Sequence, residues 1–462
     1  MGFIDELKRE IRNAMKDVKK EVQRTWRIDY KGHCVEIIHH LEDGVKHTVS
    51  VKLGGYISFN CIITIDNVTV LDDALALDFL PWNHKEKIVP FIERQVQTHN
   101  KIVDDGLPDD EYVYDENHPP VAAGSSDHFV DDIPTPLFVK KLLKLFKRQL
   151  HHPTNKTRKA TYEEIITDNI ASYGEELIER FKQAEWDESL VQQEAIWLLE
   201  HAAHREVVKF SITVLGCTNC EKYKELLFTL GMHEEFTLYV LFALKNGTRE
   251  ANDQIWRLAQ SVHGWGKIAA VEKVEATTPE IKHWLLTKGC ENIIKNEYFV
   301  YMCAIKGDLP AALNPETISK QLYDGVGLII QTLLHEDVEH DIKNYLFENA
   351  VLYRFLDHAR IHCQTLEDFY PLMKICKFIN AEEFWEERSN DRRKQQKRIS
   401  IQKAIQPFIS NPKWAQLAMD KLQQDIDLKA LEAAQFYQID IVPSLFKLLE
   451  EHPTTTKYIF PL

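Results

Sequence analysis

The chain has 462 residues, a formal net charge of −15 at pH 7, and 44% hydrophobic and 27% charged residues. This length exceeds what one compact core accommodates, so two or three cooperative units are expected. The acidic balance argues against a general nucleic-acid binder, because such a protein displaces counterions from phosphates with a basic surface. Nucleic acid is therefore not an expected partner.

The cysteines and the hydropathy pattern indicate the compartment. Most cysteines stand inside apolar runs, as Cys303 does, which predicts buried free thiols in a reducing compartment rather than a disulfide framework. No window reaches the roughly 18 apolar residues of a membrane span, and the N-terminus lacks the apolar stretch of a signal peptide. A cytoplasmic protein without a transmembrane segment is the expectation. The cysteines are Cys34, Cys61, Cys217, Cys220, Cys290, Cys303, Cys363 and Cys376.

Residues 1–100 predict a helix followed by a small antiparallel β domain. Apolar residues recur every three or four positions over 3–25, which indicates a charged amphipathic helix that docks on its own protein or joins a partner helix. Over 26–70 the period becomes two, with turn chemistry at Asp43-Gly44, as in β-hairpins. Residues 71–100 return to helical spacing.

Residues 101–136 predict an acidic linker or a long surface loop. The stretch 102–139 contains no Lys or Arg but ten Asp and Glu. Such a composition buries too little apolar surface to offset its ordering entropy. The following Pro136–Leu150 is a basic amphipathic helix, which suits an anionic membrane, an acidic partner or the neighbouring acidic segment. The last alternative is favoured because that counter-charge is closest.

Residues 137–390 predict a helical-repeat domain, and 391–462 a further helical region. His204, His233 and His263 recur about every 30 residues, each in a short turn before an apolar helix. A repeat made of two helices is typical of an α-solenoid. The predicted fold class is therefore mainly α, a solenoid of HEAT-like or armadillo-like helical hairpins behind a small antiparallel β domain.

Capping patterns in the sequence predict two helix starts in this region. Thr161 with Glu164 resembles a capping box. Thr278-Pro279-Glu280 gives an N-cap residue, a proline at the first helical position and an early acid. The predicted turns between helices fall at Gly231, Asn246-Gly247, Lys288-Gly289, Gly307-Asp308 and Asn380.

A dinucleotide pattern appears at Gly264, Gly266 and Ala269, which are weak candidates for cofactor binding. The pattern G-x-G-x-x-A needs a strand before it and a helix N-terminus after it, so that backbone N–H groups meet a pyrophosphate. The preceding Gln254–Gln260 has helical spacing, which favours a tight turn between helices. Gly325-Val-Gly327 fits less well.

Further patterns imitate reactive or metal-binding sites, and for each a structural role is favoured. Cys217-Thr-Asn-Cys220 has the spacing of a thioredoxin-type motif, which needs a βαβ setting; the alternative is two small residues between helices. His335 and His340 stand five apart, whereas a zinc-protease helix has histidines four apart, so no metal site is predicted. The others are His358 with His362 (a surface pair), Tyr370 with Lys374 (a chance match to short-chain dehydrogenases) and the basic run 391–398 (a solvated connector, or a contact for phosphate or an acidic partner).

Three stretches, Ser261–Glu272, Pro279–Leu286 and Tyr301–Leu309, resemble a bacterial family that carries the name limonene hydroxylase. The similarity extends over the whole chain, including the β-rich start and the acidic linker. The resemblance implies monooxygenation of limonene to carveol and perillyl alcohol, and dehydrogenation of these alcohols to carvone and perillyl aldehyde. It also implies NAD(P) as a cofactor, with FAD as a further candidate. These stretches contain no catalytic motif and assign no catalytic residue.

Two functions therefore stand side by side. As an oxidoreductase, the protein would hold a monoterpene in an aromatic-lined groove between helical hairpins, with Trp256, Trp265 and Trp284 as first candidates. As a non-enzymatic helical-repeat scaffold, it would hold a protein or peptide partner on its concave face. The residues themselves favour the scaffold, because the sequence shows no motif for haem, flavin or zinc-dependent oxidation.

Overall fold

The computed structural model describes most of the chain from residue 86 onward and, before it, the backbone of four strands. Within these ranges the protein is mainly helical. Of the predicted helix over 3–25, residues 3–22 lie outside the described residues, and Gln23 already begins a strand. The described ranges are 23–30, 33–42, 46–53, 57–64, 86–110, 122–125, 127, 136–294, 297–335, 338–386, 390–424 and 427–442.

Four strands pair in an antiparallel sheet with the order β1-β2-β3-β4. In this register Trp26 stands opposite Ile37, Ile37 opposite Val51, and Val51 opposite Phe59, so one row across the sheet is apolar. A packed β domain stays a prediction, because the side chains of these strands lie outside the described residues. The strands are β1 (Gln23–Tyr30), β2 (His33–Glu42), β3 (Lys46–Leu53) and β4 (Ile57–Thr64).

The chain divides into two compact units, 1–251 and 252–462. The helices described in the first unit are α1 (Ile88–His99), α2 (Pro136–His151), α3 (Asn155–Ile165), α4 (Ile170–Gln183), α5 (Glu188–His201), α6 (Arg205–Gly216), α7 (Lys224–Gly231) and α8 (Glu234–Gly247). From α3 onward they are joined by short turns. The core of this unit includes Phe146, Tyr162, Leu198, Phe210 and Phe236, all fully buried.

The helix that contains Thr161 begins earlier than the sequence pattern predicts. Thr154 caps α3, since its hydroxyl accepts from Thr157 N at 3.3 Å while the Thr157 hydroxyl accepts from Thr154 N at 3.0 Å. Thr161 lies inside the helix, and Glu164 pairs with Lys141 of α2 at 2.5 Å. The predicted capping box is therefore wrong, because Thr154 and Thr157 satisfy the free helix amides one turn or more before it.

The recurring histidines stand at equivalent places. His204, His233 and His263 are the N-cap residues of α6, α8 and the later helix that begins at Gly264. Only His233 acts as a side-chain cap, accepting from Glu235 N at 3.3 Å. The predicted helix starts are confirmed, whereas the solenoid shape stays a prediction.

The second unit contains the remaining described helices. The predicted cap at Thr278 is confirmed, because its hydroxyl accepts from Ile281 N at 3.3 Å. These helices are α9 (Ala251–Ser261), α10 (Gly264–Lys273), α11 (Pro279–Trp284, continued by a π-helical turn Leu285–Gly289), α12 (Glu297–Lys306), α13 (Leu309–Ala312), α14 (Lys320–Leu333), α15 (His340–Glu348), α16 (Val351–His362), α17 (Leu366–Asn380), α18 (Glu382–Glu386), α19 (Arg392–Ile409), α20 (Lys413–Leu422) and α21 (Leu428–Phe436).

Lysine ammonium groups complete two helix C-termini in this unit. Lys306 Nζ donates to three backbone carbonyls at the end of α10, at 2.7–2.9 Å. Lys267 Nζ donates to two carbonyls at and after the π-helical turn, at 2.7 and 2.9 Å. The last carbonyls of a helix have no partner within it, so these contacts satisfy acceptors that would otherwise be left open.

In the described part of the chain, none of the helices has the length and apolar character that crossing a membrane requires.

Candidate functional site

Three helices of the first unit, α4, α6 and α8, lie side by side and point in the same direction. At their N-terminal ends, Glu206 of α6 accepts from Ile170 N of α4 at 2.7 Å, and Lys209 Nζ of α6 lies 2.7 Å from Glu235 of α8. At their C-terminal ends, the turn after α6 donates a backbone hydrogen bond of 2.8 Å to Gly247 O. Each end of this parallel trio carries a distinct group of side chains.

The N-terminal ends carry a buried charge cluster. Its central cation, Lys209, is 0% exposed. Because the N-terminal ends of helices bear partial positive charge, carboxylates are stabilised there. We define the cluster as Arg205, Glu206 and Lys209 on α6, Glu235 on α8, and Asp109 and Asp127 from the acidic segment before α2.

Lys209 is in contact with three carboxylates. Its Nζ lies 2.7 Å from Glu235, 2.9 Å from Asp127 and 3.3 Å from Glu206. Burial alone would lower the pKa of Lys209, but the three carboxylates outweigh it and hold the pKa well above its ordinary value. Lys209 is therefore a permanent cation at neutral pH.

The three carboxyl groups respond differently to burial. Burial raises the pKa values of Asp127 and Glu206, despite the nearby Lys209 ammonium. Burial acts on Glu235 in the same direction, but Lys209 and Arg205 together lower its pKa to about 2. Glu235 is thus the firmly ionised acid of the cluster, whereas Asp127 and Glu206 are the carboxyl groups that take up a proton more readily.

Arg205 joins the acidic segment to the start of α6. Its Nη2 donates to Asp109 at 3.0 Å and also to Asp110, while its backbone N donates to Asp109 Oδ2 at 2.8 Å. The N-cap residue His204 supplies no side-chain hydrogen bond to the helix. Asp109, 0% exposed, therefore caps α6 from a distant part of the chain.

The C-terminal ends of the trio line a groove of about 690 Å³. The Trp186 ring stacks on Phe181 with centroids 4.5 Å apart and planes at 9°, and Trp186 Nε1 donates to Phe181 O at 2.8 Å. This aromatic pair is held at both ring and backbone, so it forms a rigid wall. The groove is lined by Phe181, Lys182, Ala184, Trp186, Glu188, Cys217, Thr218, Asn219, Asn246, Gly247, Thr248 and Arg249.

Two exposed cations flank the groove. Lys182 and Arg249 are both exposed, and Arg249 N donates to the Glu221 carboxylate at 2.7 Å. A second hollow of about 350 Å³ follows along α5, where Arg158 lies 4.0 Å from the Trp197 ring centre and Tyr223 forms another wall. Both hollows reach the start of α5, where Glu188 lines the first and Ser189 the second. Together we call them the binding groove.

The predicted cysteine pair lies under this groove. Burial raises the pKa values of Cys217 and Cys220 to about 11, so both thiols are protonated at neutral pH. Cys217 ends α6, where the negative end of the helix dipole opposes a thiolate. The Cys220 thiol donates to Ala243 O of α8 at 3.6 Å. The arrangement fits small residues between helices, the second interpretation of this motif.

The weak cofactor candidates Gly264, Gly266 and Ala269 lie in the first turns of α10. The element before them is helix α9, where the dinucleotide pattern requires a strand. Lys267, inside the motif, donates from its Nζ to backbone carbonyls, and this Nζ lies 5.7 Å from the Trp284 ring centre.

The three tryptophans named for a substrate groove, all half-buried, stand on three different helices. They are Trp256 on α9, Trp265 on α10 and Trp284 on α11.

Gly325 and Gly327 lie inside α14 rather than in a phosphate-binding loop. A Cβ on Gly325 would lie 2.0 Å from Leu286 O. The glycine therefore permits α14 to cross the π-helical turn at close range. His335 follows α14 and His340 begins α15, so these two histidines share no helix. Within the described ranges, no group of three or more His, Cys, Asp or Glu is arranged to hold a metal ion.

The remaining patterns have structural partners. His358 and His362 approach the carbonyls of Leu313 and Ile318 at 3.1 and 2.9 Å, and His358 is buried rather than at the surface. The run 391–398 forms the start of α19, where Lys394 and Lys397 pair with Glu348 at 3.1 and 3.0 Å. Tyr370 and Lys374 share the carboxylate of Glu432 at 2.7 and 2.6 Å.

The sequence reading missed the charge cluster. The i, i+4 pair Arg205 and Lys209 at the start of an apolar helix is the one signal that pointed to it, because two cations on one buried face require acids from elsewhere.

Comparisons with the models of known protein families, with curated proteins and with solved structures found no match for this chain.

Proposed function

We propose that this protein is a non-enzymatic helical-repeat scaffold that holds a peptide segment of a protein partner in the binding groove. The observation that carries the proposal is the position of the groove across the C-terminal ends of α4, α6 and α8. Two of these, α6 and α8, are the second helices of the successive hairpins α5–α6 and α7–α8, and α4 packs beside α6. A surface that crosses several repeats is typical of peptide binding by α-solenoids, and the solenoid shape is part of the proposal.

The groove offers the contacts by which peptides are recognised. The stacked pair Phe181 and Trp186 supplies a flat, rigid apolar surface, which costs little entropy to engage. Lys182 and Arg249 supply exposed positive charge for a carboxylate of the partner. Asn219 and Asn246 are exposed at its edge, within reach of an extended backbone.

Selection from a displayed random-peptide library on the full chain tests the proposal. Peptides that share a sequence motif should emerge, and the double variant K182E/R249E should weaken their binding at least about tenfold, which corresponds to about 1.4 kcal/mol. The double variant K140E/K144E changes net charge by the same amount on exposed positions of α2 and should leave binding unchanged. Motif-free selection, or equal binding to both variants, would overturn the groove assignment.

Oxidation of limonene and its alcohols, with NAD(P) and with FAD as a further candidate, stays the prediction that the family resemblance makes. The same preparation separates it from the scaffold function. Turnover of perillyl alcohol with NAD⁺, above that of an unrelated protein purified identically, would contradict the non-enzymatic part of the proposal. A cytoplasmic location and the small N-terminal β domain likewise stay predictions.

A further inference from the structure

Two acidic turns from a distant part of the chain cover the N-terminal ends of α6 and α8. Asp109, in the first turn, binds Arg205, and in the second turn Gly124 N donates to Glu235 Oε2 at 3.0 Å while Asp127 pairs with Lys209. We call these turns, Leu107–Asp110 and Ala122–Ser125 with Asp127, the acidic strap.

The surface beneath the strap has the chemistry of a receptor for acidic peptides. Arg205 offers its guanidinium and its backbone N–H to one carboxylate, and Lys209 offers an ammonium to another. Glu235 accepts a peptide N–H between them. The N-terminal ends of two helices add positive potential, which also favours bound anions. None of these contacts depends on which chain supplies the acidic peptide.

The strap satisfies this receptor incompletely. Five carboxyl groups surround only two cations, because Asp110 and Glu206 add to Asp109, Asp127 and Glu235. The buried Tyr173 hydroxyl has no hydrogen-bond partner among the described residues. Removing charges and polar groups from water opposes docking, so this cost offsets part of what the ion pairs of the strap contribute.

The second turn also fits at a very close approach. Gly124 has φ +71°, and a Cβ at this position would lie 2.6 Å from the Glu234 carbonyl oxygen. Glycine is therefore required at position 124 of the strap. A substitution there weakens the docking of the strap without changing any side chain of the receptor.

We propose that Arg205, Lys209 and Glu235 form a binding site for an acidic peptide segment of a partner protein, which the acidic strap occupies in cis. The strap and the partner then compete for the site. The apparent association constant for the partner is therefore its intrinsic value multiplied by the fraction of molecules in which the site is open. This site lies at the opposite end of the trio from the binding groove. It is independent of the function proposed for that groove.

A fluorescent peptide with the sequence of residues 104–127, titrated into the full chain, tests the competition. The variant D109N/D127N should bind this peptide at least about tenfold more tightly than the wild type, because its own strap competes less. A peptide that carries the same two substitutions should bind neither protein. Added salt should reduce this difference in peptide affinity between the variant and the wild type, and W186A in the groove should leave the difference unchanged.

The variant G124A guards against a loss of folding in D109N/D127N, since it changes only the strap. It should give the same gain while circular dichroism and thermal unfolding remain those of a folded protein. Folded strap variants that bind the peptide no more tightly than the wild type would overturn the proposal. Unfolding of both variants would also overturn it, because the strap would then be a permanent part of the core.

Discussion

The Lys209 cluster of the first unit and the lysines Lys267 and Lys306 of the second unit satisfy helix ends with opposite chemistry. In the first unit, carboxylates of Glu206 and Asp109 accept from the backbone N–H groups that begin α4 and α6, and cations balance them. In the second unit, Lys267 and Lys306 donate to the carbonyls that end helices. The cluster neutralises positive helix ends with acids, whereas Lys267 and Lys306 neutralise negative helix ends with ammonium groups.

The difference predicts how each unit responds to perturbation. The first unit concentrates several ionisable groups around Lys209, so removal of one leaves others buried without a partner. In the second unit Lys267 and Lys306 bind neutral carbonyls, so removal of either leaves acceptors open but no uncompensated charge. Substitution of Lys209 should therefore destabilise its unit more than substitution of Lys267 or Lys306 destabilises the other.

The largest effect is expected for Lys209→Met, because it leaves Asp127 and Glu206 without their cation and Glu235 with Arg205 alone. Breaking a buried ion pair by removing one partner costs about 3–5 kcal/mol. Hydrogen exchange of α6 and α8 reports the free energy of opening in this unit alone. The control is Lys245→Met, which removes an exposed ammonium from the end of α8. A loss below about 1 kcal/mol for Lys209→Met would contradict the role given to the cluster.

Acidification should weaken the first unit through Glu235. Its pKa is lowered from 4.5 to about 2 by Lys209 and Arg205 against the effect of burial, so its contribution is present above pH 4.5 and is lost as the pH falls toward 2. The shift corresponds to roughly 3 kcal/mol. Asp127 and Glu206 have raised pKa values and act in the opposite sense, losing their contribution as the pH rises through those values.

Hydrogen exchange of α6 and α8 from about pH 5 to about pH 3 measures this loss, after correction for the intrinsic exchange rate. The variant Glu235→Gln removes the ionisation and should show a flatter profile than the wild type. Identical slopes in the two proteins would show that Glu235 is not the group that titrates.

The sequence predicted those features that depend on local signals. The starts of α6, α8 and α10 follow from His204, His233 and His263, and the start of α11 from Thr278, because a cap and an apolar period are read within a few residues. The prediction for the start of α3 was wrong, because Thr154 and Thr161 both offer capping hydroxyls and the local pattern does not show which of them caps the helix.

The pair Arg205 and Lys209 indicates that buried acids are needed, but the identity of those acids was not predictable, because they come from separate parts of the chain. Asp109 and Arg205 are far apart in sequence, and nothing local to either indicates the other. The acidic composition of 102–139 predicted a linker or a long surface loop, whereas the docking of Asp109 and Asp127 depends on charge satisfaction rather than on apolar burial. Among the described residues, the acids of that segment pair with α6 and not with the neighbouring basic helix α2.

A smaller effect in the second unit is expected for Gly325→Ala. The added methyl group would meet Leu286 O at 2.0 Å, so α14 must move away from the π-helical turn. Overpacking of this kind costs about 1–3 kcal/mol. Gly174→Ala in α4 is the matched control, because its nearest neighbour is Ile170 Cγ1 at 3.7 Å. There the helix preference of alanine should add about 0.5–1 kcal/mol, and equal signs for the two variants would contradict the close crossing.

The least disruptive of these changes is Lys306→Met, and it sharpens the comparison most directly. The variant keeps the aliphatic stem and removes the ammonium that binds the three carbonyls at the end of α10, so we expect a loss of about 2 kcal/mol in the hydrogen-exchange stability of that helix. Lys273→Met removes an ammonium that pairs only with the exposed Glu272, and should cost less than about 0.5 kcal/mol. Because neutral carbonyls do not titrate, the loss for Lys306→Met should stay constant from about pH 5 to about pH 3, where the first unit loses its Glu235 contribution. A loss that shrinks over this range would mean that a carboxylate, and not the helix end, is the partner of Lys306, and the two units would then share one chemistry.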